Sequence, residues 1–156
     1  MQLPEVTELS RPFWEGCRDN RLKIQFCKHC QTFQWYPRAL CVRCSNSNDL
    51  EWRPVSGNGV VYSFTVVRFP VQTYENPVYF KEEFPYVVGL IELAEGVRMY
   101  ARIIDCPIDK VEIGMAVRAK FLKISDKLYF PAFQPPAYSL FLDRNDLHLA
   151  KGLLRE

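Results

Sequence analysis

Two short motifs decide the fold of this chain: CKHC at residues 27–30 and CVRC at residues 41–44, with ten residues between them. Each Cys-x-x-Cys turn places two thiolates on one side of a tight knuckle, which is half of a tetrahedral ligand set. Two such knuckles, held by short strands, complete a four-sulfur shell that has no open coordination position. The spacing therefore predicts a structural zinc site with the ligands Cys27, Cys30, Cys41 and Cys44.

Three alternatives to zinc follow from the same cysteines. Iron suits a tetrahedral sulfur cage as well. The two interpretations without a metal are a redox dithiol and unpaired cysteines in the core. One detail departs from the common knuckle, because Gln31 and Ser45 follow the second cysteines where glycine often supplies a left-handed backbone. We therefore expect slightly strained knuckles with an intact ligand set.

The segments around the knuckles predict a helix and three strands. A short helix is expected near Ser10, with Pro12 in its first turn and with Phe13, Trp14 and Cys17 as its apolar face. Strand-like runs lie at residues 22–26, 33–36 and 50–54, as a zinc ribbon requires. The sequence SGNG at residues 56–59 is expected to be a hinge.

Five further strands are expected after the hinge, at residues 60–68, 86–93, 98–104, 116–123 and 128–134. No long amphipathic helix separates them, so we expect antiparallel pairing and a small closed barrel, for which a five-stranded OB-fold is the simplest solution. The predicted fold is thus mainly β. An N-terminal helix and zinc ribbon occupy residues 1–58, and an OB-fold barrel with a C-terminal docking tail occupies residues 59–156.

The composition predicts a folded, soluble protein of the cytoplasm. Hydrophobic residues make up 48% and charged residues 24% of the 156 residues, which is the balance of a globular domain. The sequence lacks the ~18 consecutive apolar residues of a membrane span. Its first residues include the acidic Glu5 and lack the apolar run of a secretory signal, so no membrane association is expected.

The charge distribution argues against nucleic acid as the main partner. The net charge is +2, and residues 59–156 hold twelve basic and twelve acidic residues, without the basic excess that phosphate binding requires. A single-stranded nucleic-acid-binding OB-fold is nevertheless the alternative of a different class, because strand aromatics could stack on bases. The aromatic residues of that platform would be Tyr62, Phe64, Tyr100, Phe121 and Tyr129.

The residues offer little for independent catalysis. The chain has two histidines, His29 inside a knuckle and His148 near the C-terminus. Cys17 and Cys106 are expected to be small buried residues rather than nucleophiles, because neither has an electropositive setting. A zinc hydrolase would need an open metal position, which four thiolates do not leave. We therefore expect a protein that is not an enzyme on its own.

Several motifs follow one another in order over residues 10–135: FWEG at 13–16, the two cysteine motifs, Trp52, GNGVVYSFTVV at 57–67 and PYVVGLIEL at 85–93. In this order they resemble the DUF35 family. The resemblance implies a rubredoxin-like zinc ribbon fused to an acyl-CoA-associated OB-fold. It also implies a non-catalytic accessory subunit that assembles with a thiolase-superfamily enzyme into a hetero-oligomer.

The resemblance further implies structural Zn²⁺ as the cofactor and a CoA ester as a candidate ligand. An acyl-CoA thiolase, that is an acyl-CoA C-acyltransferase, is the first partner to be expected. A hydroxymethylglutaryl-CoA synthase, an acyl-CoA aldolase or an acyl-CoA hydratase is the alternative. The catalytic residues would lie on that partner.

Two apolar regions are candidate binding surfaces. The long segment between strands at residues 69–84 is expected to contribute to CoA or acyl binding, or else to pack on the barrel or on the partner. The tail, with a short helix expected at 143–154, could dock on the partner or fold back over the zinc module. The candidate CoA or acyl residues are Arg68, Phe69, Phe80, Lys81 and Phe84, and the candidate docking residues are Phe13, Trp14, Tyr138, Phe141 and Leu147.

Overall fold

The computed structural model describes residues 4–69 and 84–136 of the chain. In these residues the protein forms one α-helix, one short 3-10 helix at Ile108–Lys110 and eight strands, so the mainly β class is confirmed. The elements are α1 (Arg11–Arg18), β1 (Lys23–Cys27), β2 (Thr32–Gln34), β3 (Leu50–Pro54), β4 (Asn58–Val67), β5 (Tyr86–Leu93), β6 (Arg98–Ile103), β7 (Ala116–Lys123) and β8 (Tyr129–Gln134).

The helix α1 begins where the sequence predicts, but its start is stabilised differently. Ser10 has near-helical backbone angles, φ −94° and ψ −10°, and its hydroxyl makes no capping hydrogen bond. Instead, Thr7 N donates to Ser10 Oγ at 3.2 Å and Ser10 N donates to Thr7 Oγ1 at 3.3 Å. The apolar face is confirmed, because Phe13 and Cys17 are buried and Trp14 is half-buried.

The first sheet is the ribbon, three antiparallel strands in the order β2-β1-β3. Cys27, the last residue of β1, pairs with Thr32, the first residue of β2, so the first knuckle is the turn of this hairpin. On its other side β1 pairs with β3 over five residues, from Lys23 opposite Pro54 to Cys27 opposite Leu50. The three predicted strands are all present, although β2 ends at Gln34.

The second sheet closes into the expected five-stranded barrel, in the order β4-β5-β6-β8-β7 with β7 returning to β4. One pairing differs from the expectation, because β6 and β8 run parallel, with Arg102 opposite Ala132 and Ile103 opposite Phe133. Parallel neighbours that follow each other in the chain need a long crossover. Here β7 intervenes and pairs antiparallel with both β8 and β4, so no crossover helix is required.

The predicted hinge at residues 56–59 is held in place by hydrogen bonds to the barrel. Ser56 N donates to Glu95 Oε1 at 2.6 Å, and Ala119 N donates to Gly57 O at 2.8 Å. Gly57 has φ +72°, a left-handed backbone that favours glycine. Asn58 already pairs with Arg118 as the first residue of β4. The division of the chain between residues 58 and 59 stays a prediction.

One hydrophobic core spans both parts of the chain. From the helix and ribbon it includes Phe13, Cys17, Leu22 and Ile24. From the barrel it includes the buried side chains Val61, Val87, Ile91, Leu93, Val97, Met99, Ala101, Ile103, Val111, Met115, Val117 and Phe133. The helix α1 also contacts β7 and β8 directly. The ribbon is therefore packed against the barrel rather than tethered to it.

No helix among the described residues is both long and apolar enough to cross a membrane.

Candidate functional site

The four cysteines of the two knuckles come together at one end of the ribbon. Their sulfur atoms all lie within 4.8 Å of one another. The Sγ atoms of Cys27 and Cys44 are 3.6 Å apart, and those of Cys30 and Cys41 are 3.5 Å apart. Zn–S bonds of about 2.3 Å in a regular tetrahedron place the sulfurs about 3.8 Å apart. The donor chemistry and the geometry both fit a tetrahedral metal ion.

Each knuckle ends in a left-handed residue. Gln31 has φ 54° and Ser45 has φ 58°, at the equivalent positions directly after the second cysteine of each motif. The expected left-handed turn is therefore present in both knuckles without glycine. Few side chains adopt this backbone at no cost, so these positions carry local strain, in agreement with the sequence.

A pair of substitutions at Ser45 tests this strain. We expect Ser45→Gly to leave metal binding unchanged and to alter the free energy of unfolding by no more than about 1 kcal/mol, because glycine adopts a positive φ freely. We expect Ser45→Val to weaken metal binding and lower the melting temperature, because a β-branched residue is a steric outlier there. Equal metal affinity and equal melting temperatures for the two variants would contradict backbone strain at residue 45.

Two buried glutamines, which the sequence analysis missed, hold the loop that leads into the second knuckle. Gln25 in β1 and Gln34 in β2 are 3% and 4% exposed and lie opposite each other in the sheet. Gln25 Oε1 accepts from Arg38 N at 2.8 Å, and Gln34 Oε1 accepts from Val42 N at 2.9 Å. The signal available in the sequence was that each glutamine stands directly between two apolar residues of a predicted strand.

The remaining cysteines are not activated. Cys17 is fully buried, and this burial raises the pKa of its thiol to about 12. Burial, together with the nearby Asp109 carboxylate, also raises the pKa of Cys106. Both thiols are thus held in the protonated form at neutral pH, which is unfavourable for a nucleophile. His29 is exposed on the first knuckle, and His148 lies outside the described residues.

An apolar groove of about 410 Å³ lies where the helix, the ribbon and the barrel meet. Its aromatic wall is continuous. The ring centroid of Phe13 lies 4.7 Å from that of Trp35 and 4.9 Å from that of Trp14, and the Trp14 centroid lies 5.6 Å from that of Phe130. Phe13 itself is 4% exposed, so this candidate docking residue belongs to the core. Trp14 lines the groove, together with the exposed rings of Tyr36 and Tyr100.

The other candidate docking residues, Tyr138, Phe141 and Leu147, lie outside the described residues, as does the helix expected at 143–154.

The candidate CoA or acyl residues that the structure describes lie at one end of the barrel. Arg68 and Phe69 follow β4 and are exposed, Phe69 by 80%. Phe84 precedes β5, and its ring centroid is 5.3 Å from that of Tyr86. It also lines a second cavity, of about 550 Å³, next to Lys120. Phe80 and Lys81 lie outside the described residues.

The strand aromatics of the nucleic-acid alternative do not form one platform. Tyr100 is 71% and Tyr62 is 46% exposed, and the Arg98 guanidinium lies 3.5 Å from the centre of the Tyr62 ring. Phe64 and Phe121, in contrast, pack against the core, as does Tyr129. Stacking on successive bases needs aromatic faces in a row. Of the five rings only Tyr100 and Tyr62 are exposed, and Arg98 covers one face of Tyr62.

Two protein-family models match consecutive parts of the chain. The model of the ChsH2 rubredoxin-like zinc ribbon domain matches residues 14–51, and the model of the ChsH2 C-terminal OB-fold domain matches residues 52–122. A DUF35 domain-containing scaffold protein of Methanocaldococcus jannaschii is 37% identical over 100 residues, which are 64% of this chain and 67% of that protein.

The chain belongs to the DUF35 family. A chain of the solved structure described as "Ltp2-ChsH2(DUF35) aldolase" superimposes on this DUF35 protein with a TM-score of 0.73 and 32% identity, covering 85% of this chain and 98% of that chain. The "Probable enoyl-CoA hydratase alpha subunit" of Thermomonospora curvata is 37% identical over 124 residues, 79% of this chain. The DUF35 protein spans only 36% of that hydratase subunit's length.

Proposed function

We propose that this DUF35 protein is a zinc-containing, non-catalytic accessory subunit of an enzyme complex that acts on acyl-CoA esters. The observation that carries the proposal is the likeness, over 85% of this protein and 98% of the matched chain, to a structure whose description joins DUF35 to an aldolase. The relative named as a hydratase alpha subunit supports the same class of complex. The protonated thiols of Cys17 and Cys106 agree with chemistry located on another polypeptide.

Within this proposal, Cys27, Cys30, Cys41 and Cys44 hold a structural Zn²⁺. The four sulfurs already occupy positions close to those of a tetrahedral shell. Such a closed shell leaves no position for a substrate, so the ion would cross-link the two knuckles and take no part in a reaction. Metal analysis of the purified protein distinguishes zinc from iron, which favours the same ligands.

The identity of the partner is the finer part of the proposal. The sequence resemblance favours a thiolase-type acyl-CoA C-acyltransferase, and the named relatives favour a hydratase or an aldolase. The thiolase and the hydratase act on acyl-CoA esters, and the sequence resemblance implies the same substrate class for the aldolase. A hydroxymethylglutaryl-CoA synthase is a further alternative of the same class.

We propose the apolar groove as the surface that meets the partner. Its rim carries Trp14, Tyr36 and Tyr100, of which the two tyrosines are 66% and 71% exposed. Exposed aromatic side chains around an apolar centre are typical of protein interfaces. Tyr138, Phe141 and Leu147 are proposed to extend this surface on the basis of the sequence alone.

We also propose that the end of the barrel near Arg68, Phe69 and Phe84 contributes to binding of the CoA ester. The second cavity at this end contains Lys120 and Lys123, which pair with Asp105 and Asp126 at 2.8 Å. Ion pairs this exposed contribute little, so a ligand phosphate can replace the carboxylates. Basic and aromatic side chains side by side then suit a ligand with phosphates and an aromatic base. Phe80 and Lys81 are assigned to the same site from the sequence alone.

Purification from the native cell under mild conditions tests the proposed assembly. We expect an acyl-CoA enzyme to co-elute with the wild-type protein and to account for all turnover, while the isolated chain has none. We expect Tyr100→Ser to weaken this complex by about tenfold or more, because an exposed aromatic at an interface is often an energetic hot spot. The control is Ile113→Ser, since Ile113 is 69% exposed and is not part of the groove lining.

Three results would overturn the proposal: turnover of an acyl-CoA ester by the chain alone, a protein without a partner enzyme, or equal loss of the complex in both variants. The nucleic-acid alternative makes a different prediction. Affinity for a single-stranded oligonucleotide would then fall steeply with added salt.

A further inference from the structure

We propose that Gln34 and Gln25 are positioning residues of the metal site, which set the place of the second knuckle before the ion binds. This inference rests on the proposed zinc site. It concerns two side chains that carry no ligand atom and that no cysteine motif contains.

Gln34 holds the chain on both sides of Cys41. Its Oε1 accepts a hydrogen bond from Val42 N at 2.9 Å, and its Nε2 donates to Leu40 O at 3.3 Å. Leu40 directly precedes Cys41, and Val42 directly follows it. One buried side chain therefore fixes the backbone from which this ligand projects.

Gln25 extends the same contact along the loop. Its Oε1 accepts from Arg38 N at 2.8 Å, and its Nε2 donates to Arg38 O at 3.1 Å. The two glutamines are joined by a hydrogen bond of 2.8 Å from Gln34 Nε2 to Gln25 Oε1. Residues 38–42 form no strand or helix, so these side-chain bonds replace the backbone pairing that a strand would supply.

The glutamines also link the two knuckles to each other. They lie on β1 and β2, which form a hairpin whose turn is the first knuckle. Strand β1 ends at Cys27, and β2 begins at Thr32, its partner in the sheet. Because the same hairpin carries two ligands and holds the loop of the other two, the distance between the knuckles is set by the sheet. Groups that hold metal ligands in this way strongly affect metal affinity.

The contacts require an amide at each position. Both side chains are almost completely buried, and each must accept from a backbone N–H with its oxygen and donate with its nitrogen. In Gln34→Glu, a second carboxylate oxygen would face Leu40 O and Gln25 Oε1, which can only accept. A buried charge facing two acceptors is strongly disfavoured. The near-isosteric change thus disturbs the loop without removing volume.

The test measures metal transfer from the full-length protein to a coloured chelator, and the absorption spectrum of the Co²⁺-substituted form. We expect Gln34→Glu to lose zinc about tenfold faster or more than the wild type, and its Co²⁺ bands to shift. Gln34→Met lacks the charge but leaves Val42 N and Leu40 O unpartnered. We expect it to change the rate of zinc release and the Co²⁺ bands in the same direction as Gln34→Glu. The matched control is Val61→Ala, a fully buried barrel residue, which lowers stability without touching the loop.

The outcomes separate the inference from the proposed zinc site. A wild-type protein that binds neither Zn²⁺ nor Co²⁺ overturns both. A wild type that binds metal, with Gln34 variants that release it no faster than Val61→Ala does, overturns the positioning role alone. If the Gln34 variants unfold, a positioning role predicts that excess Zn²⁺ restores the folded state by mass action, and failure of that rescue overturns it.

Discussion

Replacing Cys41 by serine is expected to abolish stoichiometric zinc binding and to unfold the ribbon. Structural zinc contributes on the order of 10 kcal/mol to a small module, which is comparable to the whole stability of an ordinary domain. The ribbon has strands of five, three and five residues, too little paired backbone to persist alone. Cys41 Sγ lies 3.5 Å from Cys30 Sγ, so a weaker oxygen ligand there disrupts the shell directly.

Metal content and tryptophan emission are the measurements that check this prediction. All three tryptophans, Trp14, Trp35 and Trp52, lie within the first 58 residues, so their emission reports on the helix and ribbon. We expect the tryptophan emission of the Cys41→Ser variant to shift to longer wavelength, and the variant to lose its binding to the partner enzyme. The matched control is Cys106→Ser, because Cys106 lies outside the cluster and should leave the metal content unchanged. A Cys41→Ser protein with full zinc content and native emission would refute the assignment.

Phe133→Ala is expected to have the second largest effect, lowering the free energy of unfolding by about 3–5 kcal/mol. Phe133 is fully buried and lies in β8, opposite Ile103 of β6 and Ala119 of β7. Its carbonyl also accepts from Ile104 N at 2.8 Å. The ring thus fills the core beside the parallel pair of β6 and β8, and its removal leaves a cavity between β6, β7 and β8.

Urea denaturation followed by far-UV circular dichroism measures this loss. The control is the same substitution at an exposed site, Phe69→Ala, since Phe69 is 80% exposed and should change the free energy of unfolding by no more than about 0.5 kcal/mol. The prediction fails if the two alanine variants unfold at the same urea concentration. Because the core is shared, the loss at Phe133 should also destabilise the helix.

The two cysteine motifs were the most predictable part of the molecule. The clustering of the four cysteines, the flanking strands and the left-handed residues Gln31 and Ser45 all follow from local chain geometry around two Cys-x-x-Cys turns. Gln25 and Gln34 were not predicted, because their partners Arg38 and Val42 lie eight to thirteen residues away. The apolar neighbours of each glutamine are a local signal of burial, but nothing local indicates a hydrogen-bond partner at such a distance.

The surface was predicted less well than the core. Phe13 was expected to be available for docking, yet three apolar side chains in one helical turn do not reveal which of them meets the barrel. In the structure both side chains line the groove, but Phe13 is buried in the core and Trp14 is only half-buried. The relation of β6 to β8 was missed for a similar reason, since the register of Ile103 opposite Phe133 arises only when the barrel closes.

By itself, the sequence determined the four clustered cysteines, the class of fold and most strand boundaries of this protein, since hydrophobic alternation and turn residues act over a few positions. Only the tertiary structure decided how the ribbon sits on the barrel, where the aromatic groove opens and which amides hold the second knuckle. These features depend on contacts between residues far apart in the chain, and such contacts exist only after the two sheets have packed around one core.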